Sequence, residues 1–329
     1  MERAERDDGL TEIRLEESDC MADEDVEAMA GEKLTDDDWD TLISGETTGS
    51  AIVYKPNGDI LAVYLHDYIE QEKCIEAYKA LRPAAFTGSV NRGMATGKGS
   101  REKRVKEDGS VSKTTQVKPE MEPNTGIAGY YDRYPRIPYC RQTAYNVNNP
   151  KKFARAIPFF QRAGDAFAEY VPERYERQNA VAKETVDDWV ISGTPFTTVT
   201  VNLNWQTALH TDSGDYEEGF GVMPVIDAGD YEGAYFIEPK FGMAYDARAG
   251  DVLLNDVHEW HGNGPFHSSD GYYERLSVVL YYREEMAECG TPEEELKRAK
   301  EIRDYADDPD ELGAAEEQPS QRDYSAGGD

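Results

Sequence analysis

Cysteine is scarce and scattered in this chain: Cys20, Cys74, Cys140 and Cys289, with no CxxC pair among them. That spacing predicts neither a zinc site nor a disulfide framework, and it fits a reducing compartment. Long hydrophobic runs are missing too. No stretch of eighteen or more apolar residues occurs, so no transmembrane helix is expected. Met1-Glu2-Arg3-Ala4-Glu5 opens into acidic sequence rather than a charged-then-apolar signal. The expectation is an intracellular, non-secreted protein of the cytoplasm or nucleoid, monomeric and without a membrane partner. Basic residues are few: 35 Lys and Arg face 66 Asp and Glu, a formal net charge of −31. Spread over a whole surface, such charge opposes nucleic-acid binding and matches a halophile-type exterior, where acids hold water and salt screens their repulsion.

The charge is uneven. Residues 1–40 carry 17 acids and 4 bases, and residues 291–329 carry 13 acids and 5 bases. Both ends read as acidic tails, the first disordered, the second a short helix followed by disorder. Thr291-Pro292-Glu293 is a good helix start, supported by Glu293/Lys297 and Glu294/Arg298 pairs. Between Arg92 and Lys118 the balance reverses, with eight bases and three acids in a Gly-, Ser- and Thr-rich stretch. It reads as a mobile basic loop and a candidate phosphate-contacting segment, with Arg92, Lys98, Arg101 and Arg104 as substrate candidates. A solvated loop without a partner is the plainer alternative.

From residue 41 to 290 the pattern is globular and reads as one domain. Ala51 to Tyr54 and Ile60 to Tyr64 flank a Pro56-Asn57-Gly58-Asp59 turn and predict a hairpin. Helices are expected over 68–81 and 149–172, the second with Phe153, Ile157, Phe160, Gly164, Phe167 and Val171 on one face. Short strands follow at Thr194 to Leu203, Ala234 to Ile237, Met243 to Asp246, Val252 to Val257 and Leu276 to Tyr282. Helices first and strands after predict an α+β protein: a small antiparallel barrel or jelly roll buttressed by N-terminal helices.

Histidine is scarce as well, with residues at 66, 210, 258, 261 and 267. His210-Thr211-Asp212 is a His-x-Asp pair, and strand alternation puts both side chains on one face. A third ligand, His258 or His261, would complete two histidines and one carboxylate. That set covers one face of an octahedron and leaves three positions open, as non-heme Fe(II) oxygenases require. An odd separation of three residues means that only one of the two histidines can look inward from an extended chain. Further on, Arg275 and Ser277 share a face opposite Leu276, Val278 and Leu280. A buried guanidinium needs an anion, and its planar fork suits the distal carboxylate of 2-oxoglutarate, with Ser277 as second donor. Asn202 and Asn204 share another face, suited either to the near carboxylate or to strand-end backbone.

His-x-Asp, a distal His before Gly-x-x-Pro and Arg-x-Ser on the last strand resemble the Fe(II)/2-oxoglutarate dioxygenases. More narrowly, the chain resembles the TET and base-J-binding-protein (JBP) group, its compact prokaryotic and viral members above all. The phrases that carry this are Pro138-Tyr139-Cys140-Arg141-Gln142-Thr143-Ala144-Tyr145, Phe196 to Asn202, His261-Gly262-Asn263-Gly264-Pro265 and Glu274 to Val279, so the likeness covers roughly residues 80 to 290. The resemblance implies a double-stranded β-helix (cupin-like) fold, Fe(II) and 2-oxoglutarate with O2 as cosubstrate, and hydroxylation of a pyrimidine 5-methyl group in DNA. It also selects His261 over His258 as the third ligand. The cysteine-rich zinc-binding region of animal members is absent.

On that resemblance 5-methylcytosine is the expected base and 5-hydroxymethylcytosine the product, with thymine to 5-hydroxymethyluracil as the alternative. A flipped or single-stranded base is required, because a methyl inside a duplex is out of reach. Trp260 and Tyr216 flank the ligands and are candidate stacking surfaces, and Arg141 is a candidate contact to cosubstrate or substrate. Core packing and a salt bridge are the plainer roles for these three. A hydroxylase of a small molecule or protein side chain, and a catalytically silent cupin-like binding module, are the competing readings.

Overall fold

The computed structural model describes residues 1–87, 93–97, 101–105, 111–117, 124–133, 137–212, 214–267 and 271–305. Its larger sheet has ten strands, in the order β1 (Glu2–Glu5), β2 (Thr11–Arg14), β4 (Ala51–Tyr54), β5 (Ile60–Leu65), β15 (Val252–Asn255), β11 (Gly221–Gly229), β18 (Tyr273–Tyr281), β10 (Thr198–Leu203), β8 (Thr125–Tyr131) and β9 (Arg141–Gln142). The smaller has four: β16 (Gly262–Asn263), β13 (Phe236–Glu238), β14 (Met243–Asp246) and β3 (Thr41–Ser44). Two two-stranded sheets complete the set, β6 (Arg101–Val105) with β7 (Val111–Val117), and β12 (Glu232–Gly233) with β17 (Phe266–His267). Six helices are described: α1 (Asp23–Ala28), α2 (Gln71–Leu81), α3 (Ala144–Asn148), α4 (Pro150–Tyr170), α5 (Pro172–Glu184) and α6 (Pro292–Tyr305). None is long and apolar enough to cross a membrane.

Strand alternation divides the larger sheet into two chemistries. Val199, Val201, Leu276, Val278 and Leu280 face outward and pack on Leu81, Phe153, Phe160 and Phe167 of α2 and α4. On the other face, Val53, Tyr64, Met223 and Leu253 meet Ile43, Phe236, Met243 and Tyr245 of the smaller sheet. Burying each such side chain contributes about 1.5–3 kcal/mol. The expected α+β jelly-roll sandwich with helices on one face is therefore the architecture, and the hairpin and later strands lie close to their predicted spans. The long helix ends at Val171, because Pro172 lacks an N–H and disfavours helical backbone at the residue before it (φ −132°, ψ 56°), and α5 restarts there.

Several expectations need correction. Residues 1–40 are not a disordered tail: β2 pairs in parallel with β4, and Ile13, Leu15, Val26 and Leu34 are buried. A strand needs few apolar residues when one face alone is covered, and the acids occupy the other. The basic stretch 92–118 is not all loop, since β6 and β7 pair antiparallel within it. Arg92 and Lys98 lie outside the described residues, as does 306–329 of the acidic C-terminal end. Cys140 and Cys289 form a disulfide across 149 residues of sequence, with Cα atoms 5.8 Å apart. Spacing cannot reveal such a bond, because it requires only that the two Cα atoms meet in space. On α6, Lys297 pairs with Glu301 and Arg298 with Glu295 instead of the predicted partners.

Candidate metal centre

β10 leads into an extended segment that carries His210 and Asp212, and a second segment carries His261 into β16. The two cross as an isolated antiparallel bridge, with His210 N donating to His261 O and His261 N to His210 O, each at 2.9 Å. This crossing sets the imidazole centroids 4.5 Å apart. Nδ1 of His210 lies 2.8 Å from Ala208 O, and Nδ1 of His261 2.9 Å from Glu259 O. A carbonyl only accepts, so each Nδ1–H is committed to the backbone, and Nε2 is the ring atom turned to the site. Those Nε2 atoms lie 3.5 Å and 3.8 Å from the two carboxylate oxygens of Asp212. One ligand atom from each residue falls within 4.8 Å of the others, a donor set that fits a divalent transition metal. Phe236 stacks on the His261 ring at 5.1 Å and fixes its plane.

His258 is held elsewhere, with Nδ1 3.2 Å from Asp256 Oδ1. Asp256 in turn receives Lys55 Nζ at 2.8 Å and Arg174 at 3.6 Å, and Lys55 also reaches Glu259 at 2.7 Å. Burial alone would raise the Asp256 carboxyl, but His258, Lys55 and Arg174 together hold it well below the ordinary carboxylate range. The network pins both ends of the segment 256–261. Beneath it, burial pushes the Glu238 carboxyl well above its ordinary value; Tyr245 OH donates to its Oε2 at 2.9 Å.

Along β18, Arg275, Ser277, Val279 and Tyr281 point into the sandwich. Arg275 is 3% exposed, and its Nε and one terminal nitrogen have no hydrogen-bond partner among the described residues. A buried guanidinium in that state is a receptor for an anion. Asn202 ties to Ser277 Oγ at 3.4 Å and accepts from Thr125 Oγ1 at 2.7 Å. Asn204 takes the other role the sequence allowed: it has φ +49°, accepts from Arg275 N at 2.7 Å and donates to Tyr273 O. Neither proposed stacking residue lines the cavity. Trp260 packs beside Leu209 and Ile237, and Tyr216 packs edge-on against Tyr282. Arg141 lies over the Tyr131 ring, 4.6 Å from its centroid.

The cavity itself is walled by the triad with Asn202, Ser277 and residues that sequence reasoning missed: Trp205, Asp215, Asn255, Tyr281 and Arg283. Tyr281 and Arg283 share the parity of Arg275 and Ser277, so extending that pattern through the end of β18 and two residues past it reveals them. Arg283 pairs with Asp132, Nε–Oδ1 3.0 Å, and its Nη2 donates to Oδ2 at 3.1 Å. The basic stretch touches the same cavity: Ala95 lines it, and Ala95 O accepts from Ala208 N at 2.9 Å. For Arg101 and Arg104 the structure gives backbone position alone, in β6.

Comparison with known proteins follows the same geometry. Residues 126–284 match the Tet_JBP family, the oxygenase domain of the 2OGFeDO superfamily. The bifunctional helicase and thymine dioxygenase JBP2 of Trypanosoma cruzi (strain CL Brener) is 31% identical over 284 residues, covering 83% of this chain and 23% of that protein. Thymine dioxygenase JBP1 of Trypanosoma brucei brucei is 34% identical over 189 residues, 55% of this chain and 22% of its own length. The chain thus spans under a quarter of the length of these curated relatives. Among solved structures, NgTET1 in complex with 5mC DNA shares the fold at a TM-score of 0.51 and 12% identity, over 79% of this chain and 90% of that one.

Proposed function

We propose, from the premise that this chain belongs to the TET/JBP family of Fe(II)- and 2-oxoglutarate-dependent oxygenases, that it hydroxylates the 5-methyl group of thymine in DNA to give 5-hydroxymethyluracil. One observation carries the chemistry: three metal-competent donors converge in a cavity whose wall strand also presents an anion receptor, Arg275. His210, Asp212 and His261 would hold the iron, and Arg275 with Ser277 the distal carboxylate of 2-oxoglutarate, with Asn202 positioning Ser277. Iron and 2-oxoglutarate together supply, from O2, an oxidant strong enough to break a methyl C–H bond, with succinate and CO2 released. The protein's own part is to keep coordination sites open, to exclude bulk water and to aim the methyl group. Phe236, Met223 and Val279 supply the apolar wall for this.

The expectation of 5-methylcytosine rested on likeness to compact prokaryotic members. The curated relatives at 31% and 34% identity are thymine dioxygenases, and this moves the reading to thymine. A small-molecule or protein substrate is opposed by the basic stretch joined to the cavity at Ala95, and a silent binding module by the complete triad. The DNA backbone is assigned to segment 92–118, whose bases would neutralise phosphates.

The test is direct. The protein, loaded with Fe(II), ascorbate and 2-oxoglutarate at several salt concentrations, is incubated with DNA carrying thymine alone or added 5-methylcytosine. Nucleosides are then resolved by mass spectrometry. 5-Hydroxymethyluracil is expected; 5-hydroxymethylcytosine as the preferred product restores the original substrate, and succinate without a modified base removes DNA. Replacing 101–117 by a short Gly-Ser linker is expected to weaken DNA binding and flatten its salt dependence, and unchanged binding returns that stretch to a solvated loop.

A further inference from the structure

Asn255 closes β15 at a point where the proposed reaction has a use for a hydrogen-bond donor. It pairs in register with Gly221 of β11 and lines the cavity together with His210, His261 and Tyr281. The residue is 3% exposed, and its Nδ2 has no hydrogen-bond partner among the described residues. Buried amide donors are nearly always satisfied, so an exception inside a ligand cavity points to the ligand. The amide also has a fitted seat. A Cβ on Gly221 would stand 3.0 Å from Asn255 Oδ1 and 2.2 Å from Val257 Cγ1, so a glycine at 221 is what makes room for it.

The sheet register says which ligand the amide meets. Val222 pairs with Leu280, whereas Asp227 pairs with Arg275. Asn255, opposite Gly221, therefore stands beside the Leu280–Tyr281 end of β18. Counted from Tyr281, Arg275 is six residues further along, roughly 20 Å at strand spacing. A five-carbon diacid anchored on Arg275 does not span that distance, so the amide faces the substrate end of the cavity.

We propose that Asn255 Nδ2 donates a hydrogen bond to the exocyclic O4 of the target thymine, a specificity contact that rests on the thymine reading above. O4 sits on the ring carbon next to the one bearing the reacting methyl. A base that presents its methyl to the triad therefore brings O4 to the same part of the cavity. With Oδ1 against Gly221, the amide presents an N–H, which matches the thymine carbonyl and opposes the amino group that 5-methylcytosine carries at that position.

The experiment pairs a protein change with a base change. Wild-type and Asn255→Ala proteins are assayed on oligonucleotides with one target thymine, and on the same strands with 5-methyl-2-pyrimidinone, which lacks O4. Hydroxymethyl product is measured, and anaerobic binding of each strand is measured separately. For wild type, removing O4 is expected to lower kcat/KM about tenfold or more. Asn255→Ala should lose a similar factor on thymine, lose little further when O4 is also removed, and keep its KM for 2-oxoglutarate. Independent, multiplying losses overturn the contact, as does a raised 2-oxoglutarate KM in the variant or a wild-type preference for 5-methylcytosine. If Asn255→Ala does not fold, the comparison of bases on wild type still decides, since equal turnover with and without O4 overturns the proposal. No turnover of any base by wild type removes the parent reading instead, a result distinct from all of these.

Discussion

Two His–Asp pairs stand within one short stretch of structure and serve opposite ends. His210 and Asp212 meet His261, with every ring Nδ1 on a backbone carbonyl and the Nε2 atoms turned to the carboxylate. His258 and Asp256 are equally close, but the carboxylate there is already matched by Lys55 and Arg174. A carboxylate matched by lysine and arginine is a scaffold, whereas one facing two imidazole Nε2 atoms completes a metal-competent donor set. Proximity of histidine and acid does not separate the two cases; the identity of the remaining partners does.

The largest effect that breaks this comparison is on the metal. His210→Ala, Asp212→Ala or His261→Ala is expected to abolish iron binding and 2-oxoglutarate turnover, whereas His258→Ala should keep both within a few-fold; iron content and succinate release measure it. The reverse outcome at 258 and 261 would exchange their roles. Next comes Lys55→Met, which removes the nearest cation from Asp256 and Glu259 and leaves them Arg174 and Lys240 at 3.6 Å and 3.5 Å. Urea denaturation should show a loss of up to about 3 kcal/mol, because both acids lose their shorter ion pair.

A smaller effect lies in the pH dependence of Asp256. Its carboxyl is depressed in the fold, so its contribution is fully present above the unfolded value near 4 and is lost as pH falls below that. Melting temperatures of wild type should drop on acidification through this range, and Lys55→Met should drop less. Glu238 has the opposite sign. Burial raises its carboxyl, so the fold keeps a proton that the unfolded chain releases above about 4.3, and stability declines as pH rises from there. Glu238→Gln, which keeps the shape without the proton, is expected to raise the melting temperature at neutral pH by a few degrees. No change would mean that Tyr245 alone satisfies the acid.

The site was more legible than its surroundings. Strand parity placed Arg275 and Ser277 on one face and paired His210 with Asp212, since alternation is a local property of extended chain. Between His258 and His261 parity was silent, and family likeness made the choice. The same parity explains the failure at Trp260: a residue next to an inward-facing His261 must face away, and it packs with Leu209 and Ile237. Trp205 and Asn255 lacked any local signal, because only the crossing of distant strands brings them to the cavity. At the N-terminus acid count outweighed pattern. β2 reads Thr11-Glu12-Ile13-Arg14, and its single apolar side chain, Ile13, is enough to seat it between β1 and β4.

That N-terminal segment has a practical consequence for any dissection of the protein. β2 adds to the larger sheet and β3 to the smaller, each by parallel pairing, so the first 44 residues clasp both layers at once. The family match begins only at residue 126. A fragment cut to the matched region would expose the flanks of β15 and β14 as bare hydrogen-bonding rims, prone to pair with another chain. The cooperative folding unit is therefore larger than the span that the family match covers.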